Sequence, residues 1–443
     1  MLTFTLFGLL FLFLYLGVPI AISLGLSVLV AYAVFIPLPL LSVAQKFYTS
    51  LDSFPLMAIP FFVLASNLMA TGGVARRLIN LCTAFVGHYT GGLATAGILA
   101  CMFFAAISGS SPATVIAIGG IMIPAMVRAG YDWNYAVGSM TNAGTLGILI
   151  PPSIPMIVYA VATEQSVGKL FMAGFAPGIM LGLMLIGVSY VVAKRRGFKL
   201  QDRVPWPQRW RALRESGWSI FMPVLILGGI YGIPESLAGY LGIEGGAIFT
   251  PTEAAAVAVV YAFVVGAFIH HELSWADIRR VLMKSIATTA MLMFIIAAAM
   301  LFGFILTSEQ IPKMLADWII GMHLSPWVFL LVLNLILILA GDFMEPSSII
   351  LILAPIFLPA AIKLGIDPIH LGIIFTVNME VGMITPPVGL NLYVASGITG
   401  RGLYEVMRAS LPWMLVLVAA LAIVTYVPEL SLFFPRWLYG ARF

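Results

Sequence analysis

Twelve apolar stretches fill most of this sequence, near residues 4–18, 20–37, 55–71, 94–127, 134–162, 169–193, 217–234, 249–269, 287–307, 327–361, 369–398 and 409–428. Runs of that length with almost no charge have one stable home. A helix of about 20 residues satisfies its own backbone polar groups across a hydrocarbon core, which an open strand or loop cannot do. A closed barrel would instead show short alternating strands. Only 9% of the residues are charged, against about 25% in soluble domains, so lipid is the main solvent. The chain reads as an all-α polytopic membrane protein. Its first segment has no basic leader and no small-residue cleavage site, and is expected to be retained as a membrane helix.

Two stretches do not fit simple spans. Residues 94–127 and 327–361 are each too long for one crossing and too short for two comfortable ones. The first is interrupted by "AISGSSPATVIAIGG" (106–120) and the second by "LAGDFMEPSSIILILAP" (339–355). Two shorter helices with a polar tip fit both, as re-entrant hairpins entering from opposite faces. Such a tip is tolerated at membrane depth only where protein buries it or an aqueous cavity reaches it.

Two further stretches are broken by prolines. In "TNAGTLGILIPPS" (141–153) and "TVNMEVGMITPPV" (376–388), Gly382, Pro386 and Pro387 each follow Gly147, Pro151 and Pro152 by 235 positions. At the same offset, residues 121–153 and 356–388 agree at Ile121, Pro124, Ala125, Gly130, Asp132 and Thr141 as well, and Arg128 falls on Lys363. Prolines, glycines and an aspartate fix backbone geometry, so these matches indicate an internal repeat. The first repeat spans residues 1–193 and the second 217–443, joined by a basic linker at 194–216.

Charge sets the relation between the halves. The stretch "KRRGFKLQDRVPWPQRWRALR" (194–214) adjoins two spans and is expected in the cytoplasm. With each hairpin entering and leaving on one face, Arg76, Arg77, Arg128, Arg279, Arg280, Lys284, Arg401 and Arg408 also fall inside. The N-terminus, Lys363, Arg436 and Arg442 fall outside. Each half then has about five crossings plus one hairpin, and the halves are inverted relative to one another. Inverted repeats with broken helices are the pattern of secondary transporters. The net charge of +4 is small and clustered, which orients a chain in a bilayer and gives no nucleic-acid footprint.

The polar residues at these interruptions are the candidate site. Ser108, Gly109, Ser110 and Ser111 offer hard oxygen ligands to a small cation. The helix opening at Pro112, with Thr114 in its first turn, presents unpaired N–H groups to an anion. The same residues could instead let two helices pack closely. In the second half Asp342 and Glu345 precede Pro346, Ser347 and Ser348; these carboxylates are either ligands at membrane depth or solvated near the outer surface. Prolines force preceding carbonyls off the helical ladder, freeing those near Gly144–Leu149, which include Ile148, and near Gly382–Thr385. Asn142, Thr145, Asn378 and Thr385 add side-chain oxygens, although prolines that only kink helices for packing are the alternative. Glu380, within an apolar stretch, could bind a cation, carry a proton or meet a positive helix end. An anionic substrate would be met by helix ends, amides and hydroxyls, here Ser111, Pro112, Thr114, Ser153, Pro346, Ser347 and Asn391. No Walker A, HExxH or GxSxG sequence is present, and Cys82, Cys101 and the scattered histidines form no metal spacing, so neither an enzyme nor a resident cofactor is expected.

The motifs "GVPIA" (17–21), "ISGSSPATVIAIG", "AGTLGILIPPSIP", "FTPTEAAAVAVVYA" (249–262), "GDFMEP" and "MITPPVGLNLYV" together resemble the large membrane (M) subunit of tripartite ATP-independent periplasmic (TRAP) transporters, over essentially the full length. The resemblance implies an elevator-type permease of a bacterial or archaeal inner membrane, with a scaffold and a mobile transport domain. It implies import of an organic acid anion, such as a C4-dicarboxylate or sialic acid, coupled to Na⁺. It implies two sodium sites, one from Ser108–Ser111 and Gly144–Ile148, the other from Asp342–Ser347 and Gly382–Pro386. It also implies a small four-helix membrane (Q) subunit and a periplasmic substrate-binding (P) protein. Residue 1 begins the repeat directly, so the small subunit is expected as a separate chain. Two other readings stay open: a self-sufficient sodium/anion symporter, and a channel or scaffold in which the hairpins only pack.

Overall fold

The computed structural model describes residues 1–35, 41–198, 201–232, 246–386 and 388–440. Pro387 and Arg442, named above, lie outside the described residues. All regular structure among them is helical apart from one isolated bridge residue, Gly246, and seven helices are long and apolar enough to cross a membrane.

The first half comprises α1 (Leu2–Tyr15), α2 (Ile20–Phe35), α3 (Leu41–Thr49), α4 (Ala58–Thr71), α5 (Val74–Val86), α6 (Gly92–Ser108), α7 (Ser111–Arg128), α8 (Trp133–Ala143), α9 (Ile154–Thr163) and α10 (Val167–Arg196). The second comprises α11 (Trp206–Tyr231), α12 (Pro251–Ile269), α13 (Trp275–Ser308), α14 (Ile311–Gly321), α15 (Pro326–Gly341), α16 (Pro346–Lys363), α17 (Pro368–Gly382), α18 (Leu390–Thr399), α19 (Leu403–Tyr426) and α20 (Pro428–Tyr439). Packing follows the repeat. Helix α2 lies on α13 as α12 lies on α4, and α8 packs on α19 as α17 packs on α10.

Both long interrupted stretches are hairpins. Gly91, just before α6, sits so close to α10 that an added Cβ would lie 2.9 Å from the Cβ of Ala193. After α7, Asp132 caps α8 and pairs with Arg196 at the end of α10. The first hairpin therefore enters and leaves where α10 finishes. The second does so at the other end: Trp327 stacks on Tyr426 at 5.0 Å, and the hydroxyl of Tyr159 in α9 donates to Pro368 O, at the start of α17, at 2.7 Å.

The expected division of charge has a structural counterpart. At the end where α10 finishes, Arg77 bonds Glu272 at 2.7 Å and its carbonyl accepts from Ser216 Oγ. The Arg401 guanidinium lies 5.3 Å from the Trp133 ring centroid. At the opposite end Lys363 pairs with Asp317 and Arg436 with Glu429.

Three details differ from the sequence reading. The basic stretch is largely helical, since α10 continues through Arg196 and α11 starts at Trp206. The expected 287–307 span belongs to a helix that starts well before its apolar run. Ser274 and Asp277 form a capping box, and α13 then runs unbroken for 34 residues, about 51 Å. Helices α1 and α2, expected as crossings, have 14 and 16 residues, or roughly 21 and 24 Å.

Cys82 and Cys101 are both buried, so single cysteines can report sidedness on the native background. Labelling of Gln201→Cys is expected from the cytoplasmic side alone and of Ser325→Cys from the opposite side alone. Modification of Gln201→Cys only from outside would invert the topology.

Candidate functional site

The tip of the first hairpin is held by its own hydroxyls. Gly109 adopts a left-handed conformation with φ +62°, which ends α6 and turns the chain. Ser108 Oγ lies 2.9 Å from Thr114 Oγ1, and that hydroxyl donates to Ser110 O at 2.9 Å. Ser111, fully buried, accepts from Asn391 Nδ2 at 2.6 Å. Asn391 lies just past the second broken helix, so one hydrogen bond ties the repeats together at this tip. Beyond the tip, α7 widens into a π-turn at Val115–Gly119, a device found mostly at functional sites.

The first broken helix meets this tip directly. After Ala143 the α-helix tightens into a 3₁₀ turn over Gly144–Ile148. Leu146 O then accepts from both Leu149 N and Ile150 N, at 3.2 and 3.1 Å. Pro151–Pro152 follows, with a cis peptide bond. Ser153 caps α9 and donates its hydroxyl to Ile148 O, while Ile154 N donates to Gly109 O at 3.2 Å. The approach is close enough to exclude any side chain at Gly147, where a Cβ would lie 2.6 Å from both Ser110 O and Thr114 Oγ1. Thr145 Oγ1 donates to Asn142 O at 2.8 Å.

The second half repeats this architecture with one change. Helix α17 ends at Gly382 and tightens, with Ile384 N and Thr385 N donating to Val381 O and Gly382 O at 3.1 and 3.2 Å. Gly341, ending α15, packs on Gly382; a Cβ on Gly382 would lie 2.8 Å from the Gly341 Cα. At offset 235, Glu345 corresponds to Ser110, and both are helix N-caps. Ser110 makes no side-chain capping bond, whereas Glu345 accepts from Ser347 N and Ser348 N at 3.0 and 3.3 Å, and from Ser347 Oγ at 2.8 Å. The N–H groups at the helix start opened by Pro346, where an anion was expected, are thus taken by a carboxylate of the chain itself. Asp342 is buried, and its Oδ1 has no hydrogen-bond partner among the described residues.

Two expected ligands engage other helices. Asn142 gives its Nδ2 to Gly138 O and Ser410 O. Asn378 gives its own to Asn334 Oδ1 and Ile374 O. Each leaves a buried Oδ1 without a partner, and both oxygens of fully buried Glu380 are likewise unpartnered among the described residues.

Both tips open on one cavity of about 300 Å³, lined by Ser108–Ala113 from the first tip and Glu345–Ser347 from the second. Thr385 and Pro386, half-buried at the second break, are not among its lining residues. The facing wall was missed from sequence: Ser66 and Asn67 of α4, and Lys284, Thr288, Met291 and Leu292 of α13. The helical spacing of those α13 residues was the available signal. The arrangement offers hydroxyls, a positive helix end and freed carbonyls around a space shared by both repeats, suited to holding a small cation beside an anion.

Residues 7–430 match the family described as "Tripartite ATP-independent periplasmic transporter, DctM component". The chain is 54% identical, over 91% of its length and 92% of the relative's, to a Pseudomonas aeruginosa protein named C4-dicarboxylate TRAP transporter large permease protein DctM. A Rhodobacter capsulatus protein of the same name is 49% identical over 90% of this chain and 91% of its own. The Vibrio cholerae sialic acid TRAP transporter large permease protein SiaM is 34% identical over 90% of each. Among solved structures, the Alcanivorax borkumensis YdaH transporter shares the fold, with TM-score 0.59 and 16% identity over 86% of this chain and 88% of that one.

The close approach at the two glycines gives a direct test. Gly147→Ala and Gly382→Ala force atoms into backbone and are expected to destabilise by about 1–3 kcal/mol, lowering the melting temperature of the purified protein. Gly120→Ala, on the first hairpin with nothing within 4 Å of the new methyl, should hold or slightly raise it. A Gly147→Ala protein melting like wild type would mean that the tip and broken helix are not in contact.

Proposed function

The chain belongs to the DctM component family of TRAP transporters, and from that premise we propose that it is the permease subunit of a sodium-coupled importer of organic acid anions. A C4-dicarboxylate is the preferred substrate class, because relatives at 54% and 49% identity carry that name. The observation that carries the reading is the cavity shared by two hairpin tips, each set against a helix broken in the same repeat.

The donor sets suit Na⁺. One would use Ser108–Ser111 with carbonyls of Gly144–Ile148, and the other Asp342–Ser347 with those of Gly382–Pro386. Both are all-oxygen, and buried acceptors at Asn142, Asp342 and Asn391 that lack partners among the described residues leave lone pairs for a cation. Na⁺ so held would supply positive charge beside the bound anion. Hairpins entering from opposite ends suit alternating access, with α6–α9 and α15–α18 moving as a unit against a framework of α2, α4, α12 and α13. In this reading the protein catalyses no chemical step and sits in the inner membrane. A periplasmic binding protein delivers the anion and a small membrane subunit completes the complex. The Oleidesulfovibrio alaskensis relative named permease protein DctMQ, of which this chain covers 60%, supports that second partner.

The test is uptake by proteoliposomes holding the permease and small subunits. Uptake should need both a sodium gradient and the soluble binding protein. Sodium-driven uptake of free substrate would instead mark a self-sufficient symporter, and gradient-independent flux a channel. Ser111→Ala and Thr145→Val at the first site, and Ser347→Ala and Thr385→Val at the second, should each raise the sodium concentration for half-maximal uptake about two- to tenfold. Four wild-type sodium curves would refute the assignment.

A further inference from the structure

The cavity wall facing the tips carries a single cation among the described residues, Lys284. Its direction is fixed by the helix. Ser285, the next residue, is buried and accepts from Asn67 Nδ2 of α4 at 3.0 Å, which pins the rotation of α13 against α4. Lys284 then shares a face with Thr288, Met291 and Leu292, one to two turns further on, and all four line the cavity. Among the described residues Lys284 is drawn into no ion pair: the carboxylates nearest in sequence are engaged elsewhere, Asp277 with Arg280 and Glu272 with Arg76 and Arg77. Glu345 lines the same cavity but is occupied by Ser347 and Ser348. An ammonium with no ion-pair partner among the described residues, on the wall of a cavity shared by both tips, is placed to meet an anionic ligand.

We propose that Lys284 is the specificity residue for a doubly charged substrate, receiving one carboxylate while the other lies at the first hairpin tip. The inference rests on the function proposed above. Two positive groups lining one cavity suit a molecule with two carboxylates. The first tip has an uncapped helix start at Ser110–Ser111 and α13 has the ammonium, with the apolar side chains of Met291 and Leu292 along the same wall. A singly charged acid of similar length would leave one of these two positive ends unmatched. Lys284 is also exposed, so its replacement does not open a hole in the packing.

The experiment titrates the purified complex of permease and small subunit, in saturating sodium and without the binding protein, with succinate and with monomethyl succinate. Wild type should bind the dianion at least about tenfold more tightly than the ester, the value of one charge-assisted contact. Lys284→Gln should bring that ratio close to one by weakening the dianion alone, and Lys284→Arg should restore most of it. The ligand-free melting temperature should be the same for all three proteins. A lysine that only reaches for the lipid headgroups predicts the wild-type ratio in Lys284→Gln, which would overturn this inference and leave the proposed function standing. Wild type that binds neither compound would overturn the dicarboxylate reading and the role of Lys284 with it.

Discussion

A backbone N–H or carbonyl that leaves a helix inside a hydrocarbon layer must find a partner within the protein, because no water is there to supply one. That requirement organises the molecule. The sequence breaks regular structure inside membrane-length segments at two hairpin tips and two proline-interrupted helices. Each tip is then set against the break of its own half: Gly109 O accepts from the restart of α9, and Gly341 lies on Gly382. Pairing one interruption with another lets each supply part of what the other lacks. The polar groups left over are concentrated in one place.

Glycine makes that pairing possible. At Gly147 and Gly382 the neighbouring chain comes within the space of a single methyl group, so any other residue would push the tip away from the break. The hydroxyls of Ser108, Thr114 and Ser153 then close remaining backbone valences without adding charge. Helices α6, α8, α9 and α17 are almost wholly buried against this frame, which makes the interrupted region a packed body rather than a set of loops.

Much of this was legible in the sequence because it depends on local covalent facts. Proline cannot donate, glycine alone tolerates the tight approach, and a 34-residue uncharged run cannot be one span. The pairing of Ser110 with Glu345 as equivalent caps could likewise be read once the offset was known. What was not legible depends on helix rotation. Nothing local says that Asn378 turns to Asn334 on α15, or that the contact of Asn67 with Ser285 sets Lys284 on the cavity wall. The full length of α13 was not legible for a related reason. Its charged first turns lie outside the apolar run near 287–307, and Ser274 and Asp277 cap a helix that carries them on.

The replacement of a hydroxyl by a carboxylate at the second cap has a consequence for orientation. Duplication by itself would give the cavity two interchangeable ends, and a bound anion would have no preferred heading. Glu345 neutralises the positive end of α16 from within, while the matching end of α7 stays open. The inherited two-fold relation is thereby kept in the packing and abolished in the electric field. A ligand entering between the tips meets a space with a head and a tail, and a carrier built from two equivalent halves can still hold its cargo in a single direction.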